Sequence, residues 1–577
     1  MTKITAVPTI PYQTGSINAE VLIISEYLTA EEAHTKKPLS GSSGYEFDKI
    51  CREAGLLEFS ILRTVLVAKR PLGNDPRDLY YPTTEKKTRT AFKGCYPKPE
   101  ILDGITRVKQ LISTMPNLKL IIGLGNLPLW AFTDKASIKT SQGYKIPGGV
   151  MKWRGSQIYT TDLPQNIPYL PIIHPLIITK DWSYRGFTVH DLKARAVRFL
   201  KGKPWHREHT PKFIFAPTLN DVENVLQSWE AKLSFSSLKL AVDIETWKRS
   251  YIACIGIADY DKAMCIPFVY FDKDGTIQDY WSTDVETEIW LKLRKIFMHP
   301  NARIIGQNFI YDNQFLSRQY FIKSNLDFDT MLGHHLLWPG TPKSLDFLAS
   351  LYCDHYVYWK DESQDWDGQF EHESLWLYNC KDVRETYDIA QELKSLIQTT
   401  KKEAQWQWQL EQWYLARDMM DKGIRINQQH FVIINKELTI LATELENYLL
   451  EVMPEDIRFT SSGGPWFSSP KQQMLIFYDL IGLKKILHKK TKNPTFDTTA
   501  LATLKETTPW LAPVFQALEN LRSIGVFRSH FLEMKLSYDK RLRCNFNVGG
   551  TETFRWSSSA NGFGEGTNFQ NIPKGDD

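Results

Sequence analysis

Cysteine is scarce: the chain has seven in 577 residues, and no two stand in a Cys-x-x-Cys pair. That excludes a disulfide framework and a cysteine-rich zinc module. Long apolar runs are missing too. No stretch of about 18 apolar residues occurs, so neither a transmembrane helix nor a membrane partner is expected. The opening MTKITAVPTI lacks the basic-then-apolar order of a secretory signal. Neither charge sign dominates: 70 Lys and Arg against 66 Asp and Glu leave a net +4. So mild a balance does not mark a nucleic-acid binder, which needs local clustering. With 42% hydrophobic and 24% charged residues, the composition is not collagen-like or largely disordered. The expectation is a soluble, cytoplasmic protein.

What the chain does have is length and aromatic side chains. At roughly 100–200 residues per domain it holds about three to five domains. Eighteen Trp and 13% aromatics point first to large cores and second to a few rings stacked on unpaired bases. Three blocks separate, at 1–204, 205–400 and 401–577, giving a multidomain α/β fold class. In the first, EVLIIS (20–25), ILRTVLVAK (61–69), LKLIIGLG (118–125) and IPYLPII (167–173) read as buried strands. Helical stretches around 45–54 and 99–114 alternate with them, as in a parallel α/β domain. GKPWHREHTPK (202–212) reads as a linker. The second block opens with a strand at 238–244 and becomes helical after Thr287. The third is mostly helical, with Phe431, Ile434, Leu438, Leu441, Leu445 and Leu449 forming one apolar stripe.

The second block carries the strongest chemistry. Asp243 and Glu245 end an apolar run two residues apart, which puts both carboxylates on one face of a strand. Asp312 follows Asn308 at helical spacing, and Tyr378 and Asp382 are four apart, neighbours on one helix face. Four acids meeting at one place would raise one another's pKa, and divalent cations resolve that repulsion. Hard carboxylate oxygens suit Mg²⁺ or Mn²⁺. His334, His335 and His355 have no place in this set and read as packing or surface residues.

DIET (243–246), GQNFIYDNQFL (306–316), FDTML (328–332) and YNCKD (378–382) together resemble the DEDDy 3′–5′ proofreading exonucleases, most of all the domain attached to family A DNA polymerases. The resemblance implies a ribonuclease-H-like fold. It implies that Asp243, Glu245 and Asp382 hold one metal ion and that Asp312, with Asp243, holds the other. Tyr378, helped by Glu245, would orient the attacking water. Thr246, Gln307 and Asn308 would contact the 3′-terminal nucleotide.

In the third block, MMDKGIRIN (419–427) reads as a helix ending at Gly423 and then a short strand. Ser469 is expected to cap a helix with Pro470 at its first position. Lys484, Lys485, Lys489, Lys490 and Lys492 form either a solvated face or a tip that grips duplex phosphates. TETFRWSSS (551–559) and NFQNIP (568–573) resemble the family A signatures T-x-T-G-R-L-S-S and P-N-L-Q-N-I-P, with Phe554, Trp556 and Thr567 departing from Gly, Leu and Pro. By that resemblance the block is the polymerase thumb and the start of the palm. Thr551, Arg555, Gln570 and Asn571 would touch the primer–template. The palm carboxylates and the fingers are expected to be missing, so that a second polypeptide would have to supply them for polymerisation. The terminal GDD (575–577) is set aside as a catalytic pair, because no apolar strands flank it.

In the first block, Ser25-Glu26-Tyr27, KKPLSGSSGYEFDKICREAGL (36–56), TVLVAKRPLGND (64–75) and PIIHP (171–175) resemble the uracil-DNA glycosylase superfamily, an α/β sandwich. Glu26 and His174 occupy the places of the water-activating acid and the histidine beside the leaving base. The usual Gly-Glu-x-Pro-Gly turn is Ser-Glu-Tyr-Leu-Thr here. Cys51 and Cys95 are too few for an iron–sulfur cluster. A fold retained for DNA binding or docking is therefore favoured over base excision.

The resulting expectation is the proofreading part, with the thumb, of a phage-type family A DNA polymerase. It would bind single-stranded 3′ ends and primer–template duplex, in the host cytoplasm if viral. The alternatives are a uracil-DNA glycosylase and a non-enzymatic primer–template-binding subunit.

Overall fold

A computed structural model describes residues 12–206, 212–272, 274–363, 372–489 and 491–571. The chain divides into two compact units. One comprises 1–247, 252–309 and 322–407, and the other comprises 248–251, 310–321 and 408–577. Among the described residues no helix is long and apolar enough to cross a membrane.

The first unit contains two six-stranded sheets. In the N-terminal one, Val21–Tyr27 lies between Ile61–Val67 and Leu120–Leu124, and Pro168–Ile172 pairs with the latter, all four parallel. Short antiparallel strands, Gln13–Thr14 and Ile158–Tyr159, close the two edges. The two-residue period divides Val21–Tyr27 between two cores. Leu22 and Ile24 join Ile101, Ile105 and Val108 on one side; Val21 and Ile23 join Phe47, Ile50 and Leu192 on the other. Sheets covered on both faces read as continuous apolar runs, as these strands do. Each such Val, Leu or Ile contributes about 1.5–3 kcal/mol by leaving water.

The second sheet runs in the order Leu326–Asp329, Ala302–Gly306, Leu238–Trp247, Tyr251–Ala258, Lys262–Pro267, Lys212–Ile214. Its first three strands are parallel, and Tyr251–Ala258 pairs antiparallel with Lys262–Pro267. The long helix His372–Thr399 covers it, burying Leu375, Asn379, Asp382, Val383, Thr386, Ala390, Leu393 and Ile397 at three- and four-residue steps. Contact is closest at Gly256, where a Cβ would lie 2.4 Å from Asn379 Oδ1 and 2.9 Å from Val383 Cγ1. A bare backbone there lets the helix settle on the sheet.

In the second unit the long helices are Trp408–Lys422 (the rest of Glu403–Lys422), Gln428–Glu451 and Ala512–Phe527. Gly423 stops the first of these at φ +62° before the strand Ile424–Arg425, and Ser469 accepts from Gln472 N ahead of Pro470, both as expected. The apolar stripe differs from expectation. Leu449 is buried in the helical core, but Ile434 and Leu441 are 41% and 43% exposed. Only the C-terminal end of that helix packs fully; Ile434 and Leu438 border an open cleft of about 650 Å³.

Replacing Gly256 with Val should push the long helix outward. We expect a loss of about 1–3 kcal/mol, the usual cost of overpacking, read as a lower thermal midpoint. An unchanged midpoint would mean that the helix accommodates the side chain.

Candidate active site

Strand Leu238–Trp247 brings Asp243 and Glu245 to one face, and the sheet-packed turn of His372–Thr399 brings Tyr378 and Asp382 opposite. Oxygens of Asp243, Glu245 and Asp382 all lie within 4.8 Å of one another. Asn379 Nδ2 donates to Asp243 Oδ2 at 2.9 Å. Trp359 Nε1 donates to Asp382 Oδ1 at 2.6 Å. Lys360 Nζ donates to Asp382 Oδ2 at 2.5 Å and to the Tyr378 hydroxyl at 2.7 Å.

The electrostatics follow from crowding. Burial, reinforced by the Asp382 charge, pushes Asp243 up to about 7. Burial lifts Glu245 well above the usual carboxylate range, with Asp243 and Asp382 adding to it. Burial also raises Asp382, despite Lys360 and Trp359. Burial raises the Tyr378 hydroxyl, with Asp382 next. Against burial, the Asp382 charge holds Lys360 above its ordinary value. One lysine offsets one of three clustered acids, and the remaining oxygens are a hard donor set fitting a divalent cation.

Asp312 is buried on helix Ile310–Tyr320, which belongs to the second unit. Within that unit the helix is held by Arg318 on Glu565 at 2.9 Å and by Gln314 bonded to Asn545 and to the Gly562 amide. The rings of Phe315 and Phe563 meet at 4.3 Å.

Asn308 departs from the expected helical spacing. It precedes the helix at φ +53°, because the Asp329 carboxylate takes the amides of Asn308 and Phe309 at 3.2 and 2.8 Å. The same carboxylate caps helix Thr330–Leu337 through Met331 and Leu332. Burial pushes Asp329 up to about 6 against these four bonds. Gln307 donates to the Lys343 carbonyl at 2.7 Å and accepts from the Thr330 hydroxyl. Thr246 follows Glu245 on the strand. His334 is buried between Tyr352 and Thr341, at 2.6 and 2.7 Å.

In the second unit, the Thr551 hydroxyl bonds the carbonyl and amide of Arg555 at 2.9 and 3.0 Å, closing a turn that leaves the Arg555 side chain exposed. Phe554 holds φ +61° at the position where the signature carries glycine. Gln570 Nε2 donates to the Trp556 carbonyl at 2.5 Å, and Asn571 is exposed. Lys489 is exposed; Lys490 and the GDD at 575–577 lie outside the described residues.

In the N-terminal domain, Glu26 and His174 line one cavity of about 460 Å³ with Tyr27, Tyr80 and Asn126. Glu26 Oε1 accepts from the amides of Asn126 and Leu127 at 2.7 and 3.0 Å. Gly125 is required there. Its φ is +95°, and a Cβ would lie 2.4 Å from the Glu26 carboxyl carbon. Burial raises Glu26 and lowers His174 to about 4.

Sequence reasoning missed Trp359, Lys360, Asn379 and the role of Asp329. Asn379 sits inside YNCKD, and Asp329 inside FDTML, so a look at their neighbours on the helix and strand would have found them. Trp359 and Lys360 stand in an aperiodic stretch with no such signal.

Residues 218–398 match the family described as 3′–5′ exonuclease. Residues 218–398 form a 3′–5′ exonuclease-family domain. That family implies divalent metal use, and the carboxylate trio is its match here. Among curated proteins, the chain is 25% identical over 288 residues to DNA polymerase I of Borreliella burgdorferi, covering 49% of this chain and 30% of the relative. It is 22% identical over 493 residues to a DNA polymerase of Bacillus phage SP01, covering 77% of this chain and 47% of that one. The chain thus spans at most about half the length of these relatives. A solved POL domain of Pol1 from M. smegmatis, in complex with DNA primer-template and dNTP, aligns at TM-score 0.44 and 18% identity over 61% of this chain and 55% of that one.

Raised carboxylates favour the protonated native state, so this contribution to stability is full below the unfolded values near 4 and is lost as pH rises through about 7. A divalent cation binds the deprotonated form and reverses the loss. At pH 8, Mg²⁺ at a hundredfold excess over its Kd should stabilise the wild type by about 2.7 kcal/mol. The gain should be much smaller at pH 5.5, and Asp243→Asn should remove it at both. Equal thermal shifts in the wild type and the variant would show that the cation binds elsewhere.

Proposed function

We propose that this chain carries the 3′–5′ proofreading exonuclease of a phage-type family A DNA polymerase and removes terminal nucleotides from single-stranded 3′ ends of DNA. The observation that carries the reading is the trio Asp243, Glu245 and Asp382, gathered within 4.8 Å inside the exonuclease-family segment. The phage DNA polymerase that aligns with most of the chain supports the wider assignment.

In this reading Asp243, Glu245 and Asp382 hold one Mg²⁺ or Mn²⁺, and Asp312 is the acid that the family resemblance assigns to a second. Two bound cations would make a water acidic and offset the charge that builds on the phosphate oxygens. The chain's own residues do the rest. Tyr378 and Glu245 orient the water, with the tyrosine hydroxyl steadied by Lys360. Asn379 fixes the Asp243 carboxylate. Thr246, Gln307 and Asn308 shape the seat of the terminal nucleotide, with Gln307 acting through its own bonds to Lys343 and Thr330. Thr551, Arg555, Gln570, Asn571, Lys489 and Lys490 belong to a thumb-like grip on primer–template. Nucleotide addition is assigned to none of the described residues.

A second reading has its own observation: Glu26 and His174 share one cavity, as a uracil-excising site requires. Glu26 Oε1 is already committed to the amides of Asn126 and Leu127, which takes that oxygen away from activating a water. Binding or docking of DNA through this domain therefore stands ahead of excision.

One assay addresses both. With Mg²⁺ and a 5′-labelled single strand carrying one internal uracil, we expect a ladder shortening from the 3′ end. Asp243→Ala should slow it by at least about 10²-fold while DNA affinity changes little. An alkali-sensitive break confined to the uracil would favour the glycosylase reading. DNA binding with neither product would favour a primer–template-binding subunit.

A further inference from the structure

The aperiodic stretch Cys353–Asp361 belongs to the first unit, and residues of the N-terminal segment hold its backbone. The amide of Gln157 donates to the Tyr356 carbonyl at 2.8 Å, and the Tyr356 amide returns a bond to Gln157 Oε1 at 3.2 Å. The Tyr358 amide donates to Ser156 Oγ at 3.1 Å. Arg195 donates to the carbonyls of Ser350 and Asp354 at 3.0 and 2.9 Å. Arg154, paired with Asp191 at 2.8 Å, reaches Ser350 Oγ at 2.9 Å. Arg154, Asp191 and Arg195 are all buried. A stretch with no ladder of its own must find partners for its amides and carbonyls, and for Asp354, Tyr356 and Tyr358 these come from the N-terminal segment.

The same stretch carries Trp359 and Lys360, which the sequence pattern does not single out. Tyr358 and Asp361 face the N-terminal domain, through Ser156 and Lys152, the latter at 2.7 Å from Asp361. Trp359 and Lys360, between them, face the acids: both bond Asp382, and Lys360 also bonds Tyr378. The grip on one side thereby fixes what is presented on the other.

We propose that residues 353–361 form a strap through which the N-terminal domain positions Trp359 and Lys360 on Asp382 and Tyr378, so that this domain is a working part of the exonuclease site. The proposal rests on the exonuclease reading above. Lys360 is a positioning residue: it sets where the Tyr378 hydroxyl and one Asp382 oxygen stand. The N-terminal residues act one step further back, through the strap.

The test is a double-mutant cycle on the full chain, using the labelled single strand and Mg²⁺ and separating kcat from KM. Lys360→Met should lower kcat about 10–100-fold, the range for residues that orient metal ligands, with KM for the oligonucleotide within about twofold. Lys360→Arg, which keeps the charge and the donors, should recover part of the loss. Ser156→Ala with Gln157→Ala should lower kcat severalfold in the wild type and have little further effect beside Lys360→Met, since coupled residues are not additive. Arg198→Ala removes the ion pair with Asp354 at the exposed edge of the same contact, at 2.5 Å. It repeats the cycle with the buried network intact, and thermal midpoints check that each variant is folded. Equal slowing by the Ser156 and Gln157 changes in both backgrounds would overturn the proposal, as would a wild-type kcat that none of these variants moves. A wild-type chain that yields no ladder would overturn the exonuclease reading itself, and this proposal with it.

Discussion

Like charges held close together govern this structure. Two unit charges 4 Å apart repel by about 4 kcal/mol at the effective dielectric of a protein surface, and here three carboxylates share that range. Everything around them reads as a response. Gly256 lets the long helix approach the sheet, so that Asn379 reaches Asp243. Trp359 and Lys360 arrive from outside both elements to satisfy Asp382. The acids remain raised even so, which is the condition of a site built to be completed by cations.

A different carboxylate organises the segment around Asn308. Asp329 accepts amides from Asn308 and Phe309 before one helix and from Met331 and Leu332 at the start of another. One side chain thus ties two turns together and gives Asn308 its left-handed backbone. Support differs between the two: Asn308 rests on its local bond to Asp329, whereas the stretch that carries Lys360 bonds to Ser156 and Gln157.

Where a residue's role depended on local spacing, the sequence was informative. Asp243 and Glu245 two apart on a strand, and Tyr378 and Asp382 four apart on a helix, could be placed from period alone, and so could the strands of the N-terminal sheet. Asn308 was misplaced because the helix start is set by Asp329, twenty-one residues further on. Lys360 could not be seen at all. A lysine in an aperiodic stretch reads as solvated, whereas here its ammonium bonds Asp382 and the Tyr378 hydroxyl. The stripe from Phe431 to Leu449 shows the reverse case: the period was right, but a period does not say whether a partner covers the face.

Phe554 has a consequence for the turn it sits in. Its backbone adopts the left-handed region that costs an ordinary residue roughly 1–2 kcal/mol, where the signature carries the one residue that enters it freely. The two bonds between the Thr551 hydroxyl and the Arg555 backbone close the turn and help offset that cost.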